Sequence, residues 1–252
     1  MTPRYIFKNK TIKLFENNFI NIHNTRLPLD AGGGSSSWSI MREDRLCNMC
    51  IHVMTEDIDG GPIITNELSL YPKECIIPSH FEEHNMKLMI NFYEIFMKKL
   101  INKNEFELKP QINYLSRYNP RLNTEISGFI NWNLNSYDLI NFINAFEKPF
   151  KGASTYLNNG NFGKLYLKKV QLHGGDSSNH PYMSGIVSRH DNKWITVCTA
   201  SKHMLLVEEI IDSKGKNVIS KIKVGDRFFT PIEKLDSANS KRIYYNALGL
   251  KK

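Results

Sequence analysis

The chain contains the stretch Phe19-Ile20-Asn21-Ile22-His23-Asn24-Thr25-Arg26-Leu27-Pro28, in which apolar and polar residues alternate. Side chains alternate along a β-strand, so Asn21 and His23 should share one face while the two isoleucines pack on the other. Pro28 is expected to end the strand, because proline cannot donate a hydrogen bond to a β-ladder. The stretch therefore predicts a short buried strand that presents two polar side chains together.

A glycine-rich segment, Gly32-Gly33-Gly34-Ser35-Ser36-Ser37, follows and predicts a flexible turn. Residues 38–44 then fit two turns of helix, and residues 48–54 have the composition of a second strand. An acidic turn over residues 55–62 leads into a third apolar run that begins at Ile63. Open α/β sheets usually place their chemistry where a strand ends beside such a loop.

Two longer helices are expected in the middle of the chain. The first begins at Ser79, where Ser79 and Glu82 fit a capping box, and extends to about residue 102. The second runs from Ser136 to about residue 146, and residues 103–135 between them, which two prolines interrupt, are expected to form a connecting segment. Apolar side chains recur at helical spacing and are predicted to face the core, namely Met86, Met89, Ile90, Phe92, Tyr93, Phe96 and Leu100 in the first helix and Leu139, Ile140, Ile143 and Phe146 in the second.

The pattern changes after residue 152, where short strands alternate with turn signals such as Asn159-Gly160 and Gly174-Gly175. Five strands are predicted, near residues 153–158, 162–172, 184–190, 193–199 and 203–212. Five short strands without a long helix predict a small closed or half-closed barrel, with an OB-like fold as the leading choice.

The charge of the chain is unevenly distributed. Residues 1–147 contain 15 Lys and Arg against 17 Asp and Glu, whereas residues 148–252 contain 18 against 8, a net charge of +10. A basic C-terminal part can bind a polyanion such as RNA or a nucleotide-linked substrate, although a lysine-rich solvated surface has the same composition.

The sequence offers no candidate for a membrane span or a metal site. No apolar run approaches the roughly 20 residues that a span requires, and the first residues lack the apolar core of a secretory signal, so a cytoplasmic protein without a membrane partner is expected. Cys47 and Cys50 form a C-x-x-C pair, but residues three apart on a strand face opposite sides and cannot chelate one ion. Buried reduced thiols are expected instead.

Several motifs together resemble one enzyme family. Asn21-x-His23 leads into x-Thr25-x-Leu27-Pro28, and Asp59-Gly60-Gly61-Pro62-Ile63 follows later. This order resembles the catalytic core of the 10-formyltetrahydrofolate-dependent formyltransferases, whose usual pattern is N-x-H-x-S-L-L-P-x-x-x-G and then D-T-G-x-I. Segments that resemble those around the family's C-terminal domain are Ile130-Asn131-Trp132, Asn144-Ala145-Phe146-x-x-Pro149-Phe150-x-Gly152-Ala153 and Gly225-x-Arg227-Phe228-Phe229.

The resemblance implies that Asn21, His23 and Asp59 are the catalytic residues and that 10-formyltetrahydrofolate is the formyl donor. It assigns no residues to folate contacts. Formyl transfer needs an unprotonated amine, a stabilised oxyanion and a proton for the departing nitrogen. An Asn amide can donate to the oxyanion, a His can accept the amine proton, and an Asp can orient and stabilise that His. This chemistry requires no metal.

The resemblance also implies an α/β fold with a truncated Rossmann-like catalytic domain followed by a small OB-like β-barrel. We expect the C-terminal part of the catalytic domain in residues 1–109, a linker and connecting helix in residues 110–147, and the OB-like domain in residues 148–252. Family members carry a further segment before the Asn-x-His strand, which supplies the first strands of their sheet. The resemblance therefore implies that the first part of the N-terminal domain is absent from this chain.

Three functional interpretations remain open at this point. The segment Leu29-Asp30-Ala31-Gly32-Gly33-Gly34-Ser35-Ser36-Ser37-Trp38 resembles sugar N-formyltransferases, which modify nucleotide-linked amino sugars for surface polysaccharides such as lipopolysaccharide. The basic residues 148–252 fit a methionyl-tRNA formyltransferase instead. A non-catalytic relic or partner subunit is the third interpretation. We favour the amino sugar as acceptor and leave a homodimer open.

Overall fold

The computed structural model of the chain describes residues 7–15, 18–103, 105–112, 114, 116–160, 162–246 and 249–250. Its helices are α1 (Asn9–Lys13), α2 (Ser35–Met41), α3 (Pro78–Ile101), α4 (Thr124–Ser127), α5 (Ser136–Ala145) and α6 (Ile232–Ser240). Its strands are β1 (Ile20–His23), β2 (Asp30–Gly32), β3 (Leu46–Val53), β4 (Ile63–Leu70), β5 (Arg117–Asn119), β6 (Ala153–Leu157), β7 (Leu165–His173), β8 (Val187–Asp191), β9 (Trp194–Cys198), β10 (Met204–Asp212), β11 (Phe228–Phe229), β12 (Tyr245–Asn246) and β13 (Gly249–Leu250).

The strand predicted from the first stretch is present, but it ends earlier than expected. β1 pairs antiparallel with β3, and β3 pairs antiparallel with β4. The ladder between β1 and β3 stops at His23 opposite Cys50, so Pro28 does not end the strand. Backbone hydrogen bonds from Leu27 to Thr25 and from Asp30 to Arg26 form turns that lead the chain away from the ladder, and the second of them encloses the proline.

A second pairing lies beside this sheet. β2 pairs in parallel with β5, which comes from the segment that was predicted to be only a connection. α4 also forms within that segment. The helix after the glycine-rich turn begins at Ser35 and ends at Met41, whereas the sequence predicted residues 38–44. Gly34 precedes it in the left-handed conformation, at φ 69°, which allows the helix to begin directly after the glycines.

α3 forms where it was predicted, but its start differs from the expected capping box. Ile77 is the N-cap residue, and no side chain caps the helix. Pro78 at the first position has no N–H, and the N–H of Ser79 donates to the carbonyl oxygen of Lys148 at 2.8 Å. A tertiary backbone contact thus satisfies a donor that the sequence assigned to a side chain.

The predicted core stripe of α3 is only partly correct. Phe92 and Phe96 are buried in the same cluster as residues of β3. The exposed members of the predicted stripe are Met86, Ile90, Tyr93 and Leu100. The periodicity could not distinguish these faces, because apolar residues occupy both the side that packs on β3 and the side that the described residues leave open.

The C-terminal part is a six-stranded antiparallel sheet in the order β11-β6-β7-β10-β9-β8. The five strands predicted from the sequence are all present, and the two-residue β11 was missed because it is too short to show alternation. α5 packs against β6 and β7 of this sheet. Leu139 and Ile143 of the helix and Phe146 directly after it are buried, while Ile140 is only partly buried. Among the described residues, no helix combines the length and apolar character that crossing a bilayer requires.

Candidate active site

The register of β1 on β3 brings a second histidine to the polar face of the first strand. Asn21 lies opposite His52 in the ladder, and its Nδ2 is 3.2 Å from Nε2 of His52. Nδ1 of His52 is 2.9 Å from the carbonyl oxygen of Val53. A carbonyl can only accept, so Nδ1 carries the proton, and Nε2 accepts a hydrogen bond from the Asn21 amide.

The three residues named from the motif converge in the structure. Nε2 of His23 lies 3.5 Å from Oδ2 of Asp59, and Nε2 of His52 lies 3.9 Å from Oδ1 of the same carboxylate. The two imidazoles therefore approach one carboxylate from either oxygen, with the Asn21 amide bonded to one of them. This arrangement brings together neutral donors, a candidate base and a negative charge.

His23 is buried without a hydrogen bond. It is only 8% exposed, and within the described part of the chain neither ring nitrogen has a hydrogen-bond partner. Buried polar groups in proteins are almost always paired, so an unpaired imidazole beside a carboxylate suggests a reactive group. Burial lowers the pKa of His23, an effect that the Asp59 charge opposes and the neighbouring His52 reinforces. His23 is thus neutral near pH 7 and able to accept a proton.

The turn after β3 presents Asp59 to the histidines. Asp59 has a φ of 55°, a left-handed conformation that is uncommon for residues other than glycine. Its Oδ2 accepts a hydrogen bond from the backbone N–H of Gly32 at 3.0 Å, which links the turn to β2. A Cβ atom at Gly32 would lie 2.4 Å from the carbonyl oxygen of Asn119, so only glycine fits at this point.

Sequence reasoning missed His52, because it lies outside the residues that resemble the family's motif. His52 is only 2% exposed, and burial lowers its pKa despite the hydrogen bond to Val53 and the charge of Asp59. The signal was present in the sequence, because His52 lies in a predicted strand seven residues before Asp59. What the sequence lacked was the pairing register, which sets His52 opposite Asn21.

A buried carboxylate holds β2 beside β5 next to this site. Asp30 is 6% exposed, and burial alone raises the pKa of its carboxyl. Hydrogen bonds from Arg117 and Asn119, together with the charge of Arg42, outweigh burial and leave the pKa of Asp30 below its usual value. The Asp30 carboxylate accepts hydrogen bonds from four side chains, those of Arg26, Arg42, Arg117 and Asn119.

Cys47 and Cys50 lie on opposite faces of β3, as predicted for residues three apart on a strand. Cys47 belongs to the main core cluster and lies 3.4 Å from Oδ1 of Asn85 on α3, whereas Cys50 packs with Leu27 and Ala31 on the other side. Burial raises the pKa of Cys50 to about 12. Among the described residues, no group of three His, Cys, Asp or Glu side chains has the geometry of a metal site.

Comparison with known proteins identifies relatives across most of the chain. The family model described as "Formyl transferase, C-terminal domain" matches residues 124–222. The methionyl-tRNA formyltransferase of Mycoplasma mycoides subsp. mycoides is 26% identical over 231 residues, which are 87% of this chain and 69% of that protein. The bifunctional polymyxin resistance protein ArnA of Wigglesworthia glossinidia brevipalpis is 25% identical over 164 residues, 61% of this chain and 23% of ArnA.

A solved structure has a similar fold. The N-formyltransferase of Helicobacter canadensis, in complex with folinic acid and dTDP-3-aminofucose, superposes with a TM-score of 0.55 at 17% identity. The superposition covers 76% of this chain and 66% of that structure. At this identity the similarity concerns the fold, and the chain spans less than two thirds of the length of ArnA and of the Helicobacter protein.

Proposed function

Because the chain belongs to the formyltransferase family, we propose that it transfers a formyl group from 10-formyltetrahydrofolate to the primary amine of a nucleotide-linked amino sugar. The observation that carries this proposal is the buried, unpaired imidazole of His23, 3.5 Å from the Asp59 carboxylate. The Asn21 amide lies in the same strand, two residues before His23. The product would be a formamido sugar for a surface polysaccharide such as lipopolysaccharide.

Each residue of the site has a distinct role in this reaction. The acceptor amine attacks the formyl carbon, and the formyl oxygen becomes an oxyanion that the Asn21 amide stabilises by donating a hydrogen bond. His23 accepts the proton that the amine loses and delivers it to the folate nitrogen as the carbon–nitrogen bond to the donor breaks. The Asp59 carboxylate stabilises the imidazolium between these two steps.

We propose that the site belongs to a catalytic domain within residues 1–109, joined by residues 110–147 to an OB-like domain in residues 148–252. The six antiparallel strands β11-β6-β7-β10-β9-β8 support a curled, barrel-like second domain. The family model for the C-terminal domain begins at residue 124, inside the segment that we assign to the linker. The boundary between the two domains therefore lies, in this proposal, between residue 124 and residue 148.

Methionyl-tRNA is the second candidate acceptor. The similarity to the Mycoplasma methionyl-tRNA formyltransferase favours it, as does the net charge of +10 over residues 148–252. The Helicobacter structure, which contains dTDP-3-aminofucose, favours the sugar. We place the sugar first, because the Gly/Ser-rich segment after Pro28 resembles sugar N-formyltransferases.

An acceptor assay with site variants tests the proposal. The purified chain is incubated with 10-formyltetrahydrofolate and either nucleotide-linked amino sugars or methionyl-tRNA, and the formylated product is measured by mass spectrometry. We expect His23→Gln and Asp59→Asn to lower kcat about 10²–10⁴-fold, because each removes part of the proton-transfer machinery. His190→Gln, in β8 of the C-terminal sheet, is the control and should retain full activity.

The outcomes separate the three interpretations. Transfer to the sugar supports the proposal, whereas transfer to methionyl-tRNA alone replaces it with the second candidate. Full activity in the His23 and Asp59 variants contradicts the assigned site. If the wild-type chain transfers no formyl group and does not bind folinic acid in a calorimetric titration, a non-catalytic partner subunit is the better description.

A further inference from the structure

A glutamine from outside the motif holds the turn that carries Asp59. Nε2 of Gln111 donates to the backbone carbonyl oxygen of Asp59 at 2.7 Å and to that of Gly61 at 2.6 Å. A side-chain amide has two N–H hydrogens, and carbonyl oxygens can only accept. Both hydrogens of Gln111 are therefore used by the two carbonyls, which fixes the orientation of the amide and the spacing of the turn.

The backbone next to Gln111 is itself anchored to the start of β4. The N–H of Ile63 donates to the carbonyl oxygen of Lys109 at 2.8 Å, and the N–H of Lys109 donates back to Ile63 at 2.9 Å. Only Pro110, whose φ is fixed by its ring, separates this pair from Gln111. Gln111 is thus presented to the turn from a rigid position rather than from a free loop.

The conformation of Asp59 explains why the turn needs this support. Asp59 has a left-handed φ of 55°, a conformation that is unfavourable for any residue with a Cβ atom. Such a conformation is kept only where surrounding contacts hold the backbone in place. Gln111 holds the main chain of Asp59, and the Gly32 N–H holds its carboxylate. We propose that Gln111 is a positioning residue that sets the distance between the Asp59 carboxylate and His23, an inference that rests on the formyl-transfer function proposed above.

This role differs from that of a catalytic residue. The hydrogen bonds of Gln111 go to the backbone of the turn, so its effect on His23 is transmitted through the position of Asp59. The Asp59 charge raises the pKa of His23 against the effect of burial. Loss of the Gln111 hydrogen bonds should therefore move Asp59 away from His23 and lower the pKa of His23 further.

Substitution of Gln111 tests the inference with a readout that does not depend on activity. Gln111→Met keeps the length of the side chain and removes both donors, and the titration of the His23 ring is followed by NMR, with the signal assigned by its loss in His23→Gln. We expect the His23 midpoint to move to lower pH in Gln111→Met. The matched control is Gln171→Met, at an exposed position of β7 and the only other glutamine in the chain.

Activity adds a second expectation. In Gln111→Met, kcat should fall about tenfold with KM nearly unchanged, because a lost hydrogen-bond pair costs catalysis without removing a substrate contact. Gln111→Glu has a similar shape but sets a carboxylate against two carbonyl oxygens, so kcat should fall in this variant as well. An unchanged His23 titration in folded Gln111→Met would overturn the inference, whether or not the chain transfers formyl groups.

The wild-type protein provides a test that does not depend on the folding of any variant. If both amide hydrogens of Gln111 are bonded, its side-chain NH₂ should exchange with solvent at least tenfold more slowly than that of exposed Gln171. The two glutamine side chains can be assigned by the Gln171→Met spectrum. Equal exchange rates for both side chains would contradict the two hydrogen bonds that we assign to Gln111. The exchange measurement does not depend on whether the chain transfers formyl groups.

Discussion

At the residue scale, the candidate site places two buried imidazoles beside one carboxylate. Burial lowers the pKa of both His23 and His52, although the charge of Asp59 acts in the opposite direction. Nε2 of His52 accepts a hydrogen bond from the Asn21 amide, and its Nδ1–H donates one to the carbonyl oxygen of Val53. His23 has no such partners among the described residues, so of the two histidines it is the one to which we assign proton transfer in the proposed reaction.

His52 should matter because it orients Asn21. Replacing His52 with Leu removes the acceptor for the Asn21 amide, so the amide is no longer aimed by a partner, and we expect kcat to fall about tenfold. His52→Gln retains a side-chain acceptor and should lose less. Turnover of both variants is compared by steady-state kinetics, and their folding is checked by circular dichroism.

His190→Leu is the matched control for that experiment, because Nε2 of His190 is likewise close to a backbone carbonyl, that of Ile219 at 3.3 Å, but in the C-terminal part of the chain. It should change stability without changing kcat. Equal turnover in wild type and in folded His52→Leu would show that Asn21 does not depend on this partner.

The motif residues could be named from the sequence because their order along the chain is distinctive. Asn21, His23 and Asp59 were assigned in this way, and the structure places the two side chains of His23 and Asp59 3.5 Å apart. His52 and Gln111 could not be found by the same reasoning. Their contacts depend on the register of β3 against β1 and on a backbone pair between Lys109 and Ile63, which no local pattern encodes.

At the element scale, the short strands β2 and β5 connect the buried charges to the turn that carries Asp59. The carboxylate of Asp30 is surrounded by three arginines and an asparagine, and this group fixes the parallel pairing of the two strands. The pairing in turn positions Gly32, whose N–H donates to Asp59. Burying charged groups costs free energy that their pairing only offsets, so we expect this group to add little to the free energy of unfolding. Its main effect is to hold β2 and β5 in their positions beside the site.

α3 has two apolar faces that should respond differently to substitution. Phe92 is 6% exposed and packs in the core, so Phe92→Ala should lower the free energy of unfolding by about 3–5 kcal/mol through the cavity it leaves. Ile90 is 64% exposed, and Ile90→Lys should change that free energy by no more than about 0.5 kcal/mol.

Urea denaturation of both variants measures the difference. The two substituted residues are two positions apart in the same helix, so both variants report on one element of the fold. A large loss of stability in Ile90→Lys would mean that the exposed face is covered in solution.

Helices and strands were predicted better than their ends. The strands of the C-terminal sheet followed from alternation and turn signals, and α3 followed from its apolar spacing. The capping box at Ser79 was wrong, since the carbonyl of Lys148 takes the N–H that a side chain was expected to cap. Contacts between residues far apart in sequence decide such ends, and local propensity does not contain them.

At the scale of the whole molecule, the charge asymmetry bears on the choice of acceptor. The excess of +10 lies in residues 148–252, whereas the proposed catalytic residues lie before residue 110. A tRNA would neutralise many of these cations at once, and the release of its counterions would make binding strongly dependent on salt. A nucleotide-linked sugar carries only a diphosphate and can engage few of them.

The salt dependence of catalysis should therefore distinguish the acceptors. For a nucleotide-linked amino sugar, we expect kcat/KM to fall by roughly tenfold or less between about 50 and 200 mM KCl, because few charges are screened. An acceptor that makes 6–10 phosphate contacts would lose about 10³–10⁵-fold in affinity over the same range. Initial rates at low substrate concentration measure this ratio directly. A loss of that size with the accepted substrate would show that the basic C-terminal part binds a polynucleotide, and it would contradict the sugar as the natural acceptor.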